Sequence, residues 1–398
     1  MTKLEQLIKE LCPNGVEYVE IGSVVNYEQP TKYIVNSTDY DDNYEIPVLT
    51  AGQTFILGYT DETDGIFHAT KEKPVIIFDD FTGAFKWVDF SFKVKSSAMK
   101  ILTTDENKAI LRYIYHIMGH IGFSSSEHKR LWIGIYSSFK IPVPPLEVQA
   151  EIVRILDNFT ELTAELTAEL TARKKQYEYY RDLLLDFGVH GGGTSECEWR
   201  TLGEICSITD GSHFSPKEVD EGYYMPSVKD MRNDGFDYSL CKKISRADYE
   251  LLVRNGCRPQ PNDVLIAKDG ATMLKHAFVA SGTEDIVILS SIAILRPNTD
   301  IIFPKYLAHY FRQEGFKEMV IRNYSSVGGV PRIVLKNFKR IKIAIPPMEE
   351  QTRIVNILDR FDKLCNDISE GLPAEIEARR KQYEYYRDKL LSFKEVRM

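Results

Sequence analysis

The sequence RKKQYEYYRD at residues 173–182 returns almost unchanged as RRKQYEYYRD at residues 379–388. Each copy closes a longer repeated segment, which opens with KIPVPPLEVQAEIVRILDNF at 140–159 and with KIAIPPMEEQTRIVNILDRF at 342–361. The apolar residues of both segments recur at three- and four-residue spacing, which is typical of an amphipathic helix. The chain therefore contains the same long helix twice, and this duplication predicts its architecture.

Each repeated segment is long enough for a helix of about 40 residues, or roughly 60 Å. A helix of that length suggests a coiled-coil-like rod, and two such rods in one chain can bury their apolar stripes against each other. The pattern alone leaves parallel and antiparallel pairing open. Gly371 and Pro373 lie inside the second copy and predict a kink or an interruption there.

The middle of the first copy reads LTAELTAELTA at 162–172, which contains the unit Thr-Ala-Glu-Leu in tandem. Leucines four residues apart turn by about 400° on a helix, so the apolar stripe drifts by about 40° per unit. One interpretation is a solvated helix of good helix formers. The other is a spacer, because the two copies differ in length at this place by four residues.

A segment of about 140–150 residues precedes each repeated helix. Short apolar runs such as KPVIIF (73–78) and NDVLIA (262–267) alternate there with turns rich in Gly, Asp and Asn, which predicts strands in a mixed globule. The glycine-rich sequence HGGGTSE (190–196) predicts a linker. The expected fold class is α+β, with these parts in order: globule 1–144, helix 145–188, globule 189–345 and helix 346–398.

Composition is typical of a soluble globular protein, with 43% hydrophobic and 27% charged residues, and the scattered cysteines favour a reduced, cytoplasmic one. The sequence contains neither an apolar run long enough to span a membrane nor the apolar core of a secretory leader. Its six cysteines form no C-x-x-C pair. The net charge of −8 by itself argues against binding to nucleic acid. Residues 197–345, however, carry 21 Lys and Arg against 18 Asp and Glu.

Motifs for catalysis are weak. The sequence has neither a phosphate-binding P-loop nor the motifs of an adenine methyltransferase. His116 and His120 have a spacing that could hold a metal on a helix, but the glutamate of a zincin motif is missing. Asp79 and Asp80 could hold Mg²⁺ as in a nuclease, but neighbouring side chains on a strand point to opposite faces, so a turn is favoured. We therefore expect a binding protein with no enzymatic activity, cofactor or metal.

The order globule, helix, globule, helix resembles the specificity subunit of type I restriction–modification systems, and the resemblance covers nearly the whole chain. It is carried by the two Thr-Ala-Glu-Leu units and by LIKELCPNGVEYVEIGSV (7–24), IPVPPLEVQAEIVRILDNF (141–159), RKKQYEYYRDLLL (173–185), IAIPPMEEQTRIVNILDRF (343–361) and RRKQYEYYRDKLL (379–391).

The resemblance implies that each globule is a target recognition domain for one half of a bipartite site in double-stranded DNA. The helices would pair antiparallel, set the gap between the half-sites and dock two methyltransferase subunits. Endonuclease/translocase subunits would join that core and, with the methyltransferase, perform the chemistry. The alternative is a coiled-coil scaffold with two ligand-binding globules and no role on DNA.

Two identical partners require two similar docking surfaces, so the repeated residues are candidates for partner binding. Tyrosine and arginine are frequent hot-spot residues at interfaces. The first set is Arg173, Lys174, Lys175, Tyr177, Tyr179, Tyr180 and Arg181. The second set is Arg379, Arg380, Lys381, Tyr383, Tyr385, Tyr386 and Arg387. The glutamines that open each helix, Gln149 and Gln351, are further candidates. Alternatively, some tyrosines pack the helix pair while the other side chains are merely solvated.

Polar and basic residues of each globule form the pool of DNA contacts, to phosphates or to bases. In the first globule these are Lys71, Lys73, Lys86, Trp87, Lys129 and Arg130. In the second globule the loop TDGSHF (209–214), which resembles a loop that recurs in target recognition domains, contributes Asp210, Gly211, Ser212 and His213. The remaining candidates there are Lys229, Lys268, Lys275, Ser325 and Arg332. An ordinary solvated side chain is the alternative for each.

Overall fold

The chain divides into two compact units, each of which contains one globule and parts of both repeated helices. The first unit comprises residues 1–166 and 376–398, and the second comprises residues 167–375. The computed structural model describes residues 2–52, 54–123, 129–188, 197–326, 331–367 and 369–396. The predicted linker at 190–196 lies outside these residues, and the predicted domain boundaries stay predictions.

The first unit is built mainly from strands, with two short helices and one long helix. The helices are α1 (Lys3–Leu11), α2 (Leu111–Ile121) and α3 (Leu146–Leu184), of which α3 continues into the second unit. The strands are β1 (Tyr18–Glu20), β2 (Val25–Glu28), β3 (Ile46–Leu49), β4 (Ile56–Thr60), β5 (Val75–Asp79), β6 (Phe85–Val88), β7 (Lys93–Val94), β8 (Met99–Thr104) and β9 (Lys140–Pro142).

An antiparallel sheet in the order β2-β8-β5-β6 lies at the centre of this unit. Strand β5 is buried on both faces, which explains its continuous apolar sequence. Ile76 and Phe78 face a core that includes α2, whereas Val75 and Ile77 face a second core that includes β3. A smaller three-stranded sheet, β4-β3-β7, and the pair β1-β9 complete the globule.

The second unit contains the remaining elements. Its helices are α4 (Leu202–Ile205), α5 (Arg246–Arg254), α6 (Pro304–Arg312), α7 (Glu314–Tyr324), α8 (Leu335–Phe338), α9 (Met348–Asn366) and the start of α10 (Leu372–Leu390). Its strands are β10 (Glu198–Thr201), β11 (Cys206–Asp210), β12 (Tyr223–Tyr224), β13 (Lys243–Ile244), β14 (Val264–Ala267), β15 (Ala277–Val279), β16 (Ile292–Pro297) and β17 (Lys342–Ile345).

The two globules share one topology. The central sheet of the second globule, β11-β16-β14-β15, repeats the strand order of the first, and β10 pairs with β17 as β1 pairs with β9. Val264 and Ile266 of β14 face the main core, while Leu265 and Ala267 face a smaller one. The predicted pairing of two α+β globules with two repeated helices is therefore confirmed.

The repeated helices differ in continuity. The first copy is the unbroken 39-residue helix α3. The second copy is not one helix of about 40 residues, as its length suggested, but two helices of 19 residues each, α9 and α10. The break lies where Gly371 and Pro373 predicted it. A side chain at Gly371 would come within 2.6 Å of the backbone oxygen of Asp367, so only glycine fits.

The ends of the two repeats are exchanged between the units. Residues 376–390 of α10 pack in the first unit, where the ring of Tyr386 stacks on that of Phe159 at 5.2 Å. Residues 167–184 of α3 pack in the second unit, where Tyr180 stacks on Phe361 at 5.8 Å. Within each unit the two helical segments run antiparallel: Ile155 lies near Leu390 and Phe159 near Tyr386 in the first, and Phe361 lies near Tyr180 and Cys365 near Lys174 in the second. No helix in the described part of the chain is long and apolar enough to cross a membrane.

Candidate docking faces and nucleic-acid surface

A buried histidine joins both repeats in the first unit. Nε2 of His116 lies 2.9 Å from Oδ1 of Asp157, at the start of the first repeat. Nδ1 of the same ring lies 2.9 Å from the hydroxyl oxygen of Tyr383, at the end of the second repeat. The globule, the start of one repeat and the end of the other thus meet at one imidazole.

The second unit contains the same arrangement with the copies interchanged. Nε2 of His309 lies 2.9 Å from Oδ1 of Asp359 in α9, and its Nδ1 lies 3.4 Å from the hydroxyl oxygen of Tyr177 in α3. A cation one helical turn before each histidine also binds the aspartate: Arg112 in the first unit and Lys305 in the second. Each repeat therefore supplies an aspartate to its own globule and a tyrosine to the other.

Burial lowers the pKa of both His116 and His309 below the ordinary value, so both rings are neutral near pH 7. A neutral ring that donates its Nε2 proton to a carboxylate keeps Nδ1 as an acceptor for the tyrosine hydroxyl. Burial would raise the pKa of Asp157, but hydrogen bonds from His116 and Arg112 outweigh it and the pKa is lowered. Both ring nitrogens of His116 are thereby paired in one charge state.

Neither of the catalytic alternatives finds support in these contacts. The two ring nitrogens of His116 are already paired, and Nδ1 of His120 lies 2.9 Å from Asp388. Asp79 accepts the N–H groups of Phe81 and Thr82 in a turn, each at 2.9 Å. Among the described residues, no group of three or more His, Cys, Asp or Glu side chains could hold a metal ion.

Asp80, the partner of Asp79 in the proposed magnesium site, is buried. Its carboxylate accepts the backbone N–H of Trp132 at 2.8 Å and lies 3.3 Å from the ammonium of Lys100. The structure therefore places the two neighbouring carboxylates in a turn and a buried ion pair.

The glutamines that open the repeated helices were expected on a docking surface, and this expectation is wrong. Gln149 and Gln351 are fully buried. The amide of Gln149 accepts the N–H of Ile110 at 2.9 Å and donates to the carbonyls of Lys108 and Pro144. Gln351 makes the equivalent three bonds to Phe303, Ile301 and Pro346. These hydrogen bonds connect the start of each helix to its globule. Because both glutamine side chains are fully buried, they cannot contact a partner.

The repeated tyrosines divide into three pairs. Tyr177 and Tyr383 bind the buried histidines, and Tyr180 and Tyr386 stack on phenylalanines. Tyr179 and Tyr385, in contrast, remain 64% and 62% exposed. Their rings each lie edge-on against the following tyrosine, at 5.5 and 5.3 Å.

The basic residues of the two sets divide in the same way. The guanidinium groups of Arg181 and Arg387 lie 5.7 Å from the rings of Tyr177 and Tyr383 and are part of the packing. Half-buried Arg173 and Arg379 bind Gln176 and Gln382. The exposed members form a first candidate docking face, Lys174, Lys175 and Tyr179, and a second, Arg380, Lys381 and Tyr385.

Four candidate DNA contacts of the second globule, Asp210, His213, Lys268 and Arg332, lie in one network. Nε2 of His213 and Nζ of Lys268 lie 3.4 and 3.5 Å from the carboxylate of Asp210. Lys268 also lies 3.4 Å from Asp269, which in turn lies 3.4 Å from Nε of Arg332. The network thus joins two exposed side chains, His213 and Arg332, through the buried ammonium of Lys268.

The TDGSHF loop is held firmly at this network. The N–H of Ser212 donates to the backbone oxygen of Ile288 at 2.8 Å. A side chain at Gly211 would lie 2.1 Å from that same oxygen, so the position requires glycine. Gly211, Ser212 and Lys268 are buried, which leaves His213 and Phe214 as the exposed residues at the tip of the loop.

The other candidates of the second globule lie at separate places. Lys229 is exposed in the short turn at 228–230, and Lys275 is exposed in the turn before β15. The hydroxyl of Ser325 donates to the backbone oxygen of Ile321 at the end of α7, so it caps that helix. These three stay predictions.

In the first globule, Lys71, Lys73 and Trp87 line one cleft of about 710 Å³ together with Arg112. The guanidinium of Arg112 lies 4.8 Å from the Trp87 ring. Lys86 precedes Trp87 on β6 and therefore points to the opposite face of the sheet. Lys129 and Arg130 are exposed at another place, beside the end of β5.

Sequence reasoning missed the role of Asp157 and Asp359 and that of His309. A signal was present, because ILDNF and ILDRF place an aspartate at the same position next to the apolar stripe of each repeat. His116 and His309 each interrupt an otherwise apolar helix, YIYHIM and YLAHYF. Repeated polar residues within apolar helices are candidates for buried hydrogen bonds.

The comparisons with known proteins agree with this architecture. The model of the family described as "type I restriction modification DNA specificity domain" matches residues 13–173 and again 194–378. The chain is 45% identical to the specificity subunit of the Escherichia coli type I restriction enzyme EcoR124I/EcoR124II, over 99% of this chain and 98% of that subunit.

A putative type I specificity subunit of Haemophilus influenzae is 29% identical over 98% of both chains. The fold resembles the crystal structure of the S subunit of a type I restriction–modification system from M. genitalium, with a TM-score of 0.57 and 14% identity. That match covers 95% of this chain and 96% of the other.

Proposed function

Since the chain belongs to the family of type I restriction–modification DNA specificity subunits, we propose that each globule reads one half of a bipartite DNA site. As a specificity subunit it is the DNA-recognition component of such a system and is not itself an enzyme. Double-stranded DNA is then its ligand. Methylation and cleavage belong to the methyltransferase and endonuclease/translocase subunits with which it assembles, in the cytoplasm.

The proposal depends above all on one observation: the repeated parts make equivalent contacts, whereas the sequences of the two globules differ. The two candidate docking faces each present one exposed tyrosine and two cations. Two copies of one methyltransferase would require such twin faces, because identical partners bind identical surfaces. Two different half-sites would instead require different readers, and the TDGSHF loop and the Trp87 cleft are the candidates for them.

The Thr-Ala-Glu-Leu units supply a means of setting the gap between the half-sites. The Thr-Ala-Glu-Leu sequence at 163–166 is the last part of α3 that belongs to the first compact unit. The next copy, at 167–170, is the first part of α3 that belongs to the second compact unit. Each adds about 6 Å of helix, which equals one to two base pairs at about 3.4 Å per base pair. Four residues are also close to one full turn, so the helix faces beyond the unit change direction by only about 40°.

A map of modified adenines tests the proposed function directly. The gene is expressed with its methyltransferase partner in a host that lacks other methylation systems. We expect methylated adenines in one split motif, and none when the specificity gene is omitted. Exchanging only the second globule, residues 197–341, for that of a relative should change one half of the motif and leave the other half intact. A methylation pattern that is independent of this gene would contradict the proposal.

A further inference from the structure

Arg130 and Arg332 occupy the same place in the two globules. The N–H of Leu131, which follows Arg130, donates to the backbone oxygen of Asp80 at 2.8 Å. The N–H of Ile333, which follows Arg332, donates to the backbone oxygen of Lys268 at 3.0 Å. Asp80 and Lys268 each come directly after the corresponding central strand, β5 or β14.

The correspondence continues without insertion into the repeated helices. Ile21 donates to Phe139 at 2.9 Å as Leu202 donates to Ile341 at 2.8 Å. The hydroxyls of Tyr113 and Tyr306 donate to Pro142 and Ala344, both at 3.0 Å. From Arg130 to Asp157 and from Arg332 to Asp359, equivalent residues of the two copies are therefore separated by a constant 202 positions. This alignment starts ten residues before the repeated segments that open at Lys140 and Lys342.

The buried residues that directly follow the two central strands, Asp80 and Lys268, have opposite charges. In the first globule the buried side chain at the strand end is the carboxylate of Asp80, paired with Lys100. In the second it is the ammonium of Lys268, paired with Asp210 and Asp269. Two carboxylates outweigh the single ammonium of Lys268, and one of them, Asp269, lies 3.4 Å from Nε of Arg332, whereas Asp80 is balanced by Lys100. The charge inside therefore attracts Arg332 but does not account for an arginine at both places.

Both arginine residues are exposed. Arg332 keeps 57% of its side chain accessible while its Nε lies 3.4 Å from Asp269. Among the described residues, that one long contact leaves most of the five N–H donors of the group available. The same residue therefore faces solvent at equivalent sites of two globules that differ around it.

We propose that Arg130 and Arg332 make the same contact at both half-sites, with the phosphodiester backbone, and so position each globule without reading bases. The inference rests on the proposed DNA recognition and adds that different residues contact the DNA backbone and read the bases. Two half-sites of different sequence share only their backbone, and arginine binds phosphate through two parallel hydrogen bonds. The exposed His213, which is joined to Arg332 through the network, and its neighbour Phe214 are then free to differ from whatever occupies that place in the first globule.

A methyltransferase contact is the competing explanation for two equal arginines, since the methyltransferase is also shared. The structure favours DNA because Arg332 belongs to the network of the TDGSHF loop. The candidate docking faces, by contrast, lie on the repeated helices. The experiment separates the two explanations.

The test uses the complete complex with the methyltransferase and the variants Arg130→Ala, Arg332→Ala and the double variant. Binding is measured to DNA with the mapped site and to unrelated DNA at several salt concentrations. We expect each single variant to weaken binding to both DNAs by the same factor, about fivefold to tenfold, and to reduce the salt dependence, the slope of log K against log salt, by about 0.9. The methylated motif should stay unchanged.

Arg332→Lys keeps the charge but not the planar fork, so it should restore the salt dependence and only part of the affinity. Lys9→Ala and Arg322→Ala remove one exposed charge from α1 and α7 and serve as matched controls, which should bind like the unchanged protein. Melting temperatures of all variants confirm that the exposed substitutions leave the fold intact.

Three results would overturn the inference. A changed base at one position of the motif would mean that the arginine reads a base. Loss of the methyltransferase from the complex, with the salt dependence unchanged, would assign the arginines to the protein interface. Unchanged affinity for DNA and for the methyltransferase would show that the two arginines contact neither of them. A complex without any split motif would instead reject the proposed function, so the two failures are distinguishable.

Discussion

Replacing Tyr383 with phenylalanine should destabilise the first globule, although Tyr383 belongs to the far end of the chain. The substitution keeps the ring and removes only the hydroxyl that donates to Nδ1 of His116 at 2.9 Å, across 267 residues of sequence. The buried imidazole nitrogen then has no donor, and a buried acceptor without a partner costs about 1–3 kcal/mol. Tyr383 is itself only partly buried, which allows water some access. We therefore expect a loss of about 1–2 kcal/mol.

The equivalent substitution in the other copy supplies an internal comparison. Tyr177→Phe removes the hydroxyl that lies 3.4 Å from Nδ1 of His309, in the second unit. The longer distance predicts a weaker bond and a smaller loss, about 1 kcal/mol or less. Tyr385→Phe removes a hydroxyl from an exposed ring and should change the stability by less than about 0.5 kcal/mol.

Hydrogen exchange measured by mass spectrometry localises the effect, because two units need not unfold together. Tyr383→Phe should speed exchange of the backbone amides of α2 (Leu111–Ile121) and leave those of α6 (Pro304–Arg312) unchanged. Tyr177→Phe should do the reverse. The reasoning is refuted if Tyr383→Phe is as harmless as Tyr385→Phe, or if its effect appears in α6, because the repeat ends would then not be exchanged.

Three further predictions concern acid stability, the gap and the partner. Burial lowers the pKa of His116 and His309 in the folded state. Below the ordinary pKa of 6.5, the unfolded chain therefore binds more protons at these histidines than the folded chain does. The free energy of unfolding should therefore be fully retained above about pH 6.5 and decline as the pH falls, by at most about 1.4 kcal/mol per pH unit for each histidine. Urea titrations at pH 7.5 and 5.5 measure this decline, and His309→Gln should reduce it. Deleting residues 163–166 should shorten the methylated gap by one to two base pairs with both half-sites unchanged, and an unchanged gap in the adenine map would reject the spacer. Replacing Tyr179 and Tyr385 by alanine should weaken methyltransferase binding by about 1–3 kcal/mol for each face without changing the melting temperature; a pull-down titration that shows full affinity would reject the candidate docking faces.

The amino-acid sequence by itself determined the repeated helices, the break in the second of them and the family resemblance. The apolar spacing in 152–162 and 354–364 specifies a helix through contacts one turn apart, and Gly371 with Pro373 ends a helix through backbone geometry alone. These are local effects, so they can be predicted from neighbouring residues. The α+β class of the globules followed equally from short apolar strands such as β5 and β14.

Only the tertiary structure decided which end of which repeat packs on which globule. Because RKKQYEYYRD and RRKQYEYYRD are nearly identical, each is locally compatible with either globule, and no periodicity distinguishes the two pairings. The choice arises from packing across more than 260 residues of chain, where a buried histidine, an aspartate and a distant tyrosine must satisfy one another. The separate roles of Tyr177, Tyr179 and Tyr180 depend on the same contacts. Burial and hydrogen bonding are properties of the assembled core, which is why a residue's neighbours in sequence did not reveal them.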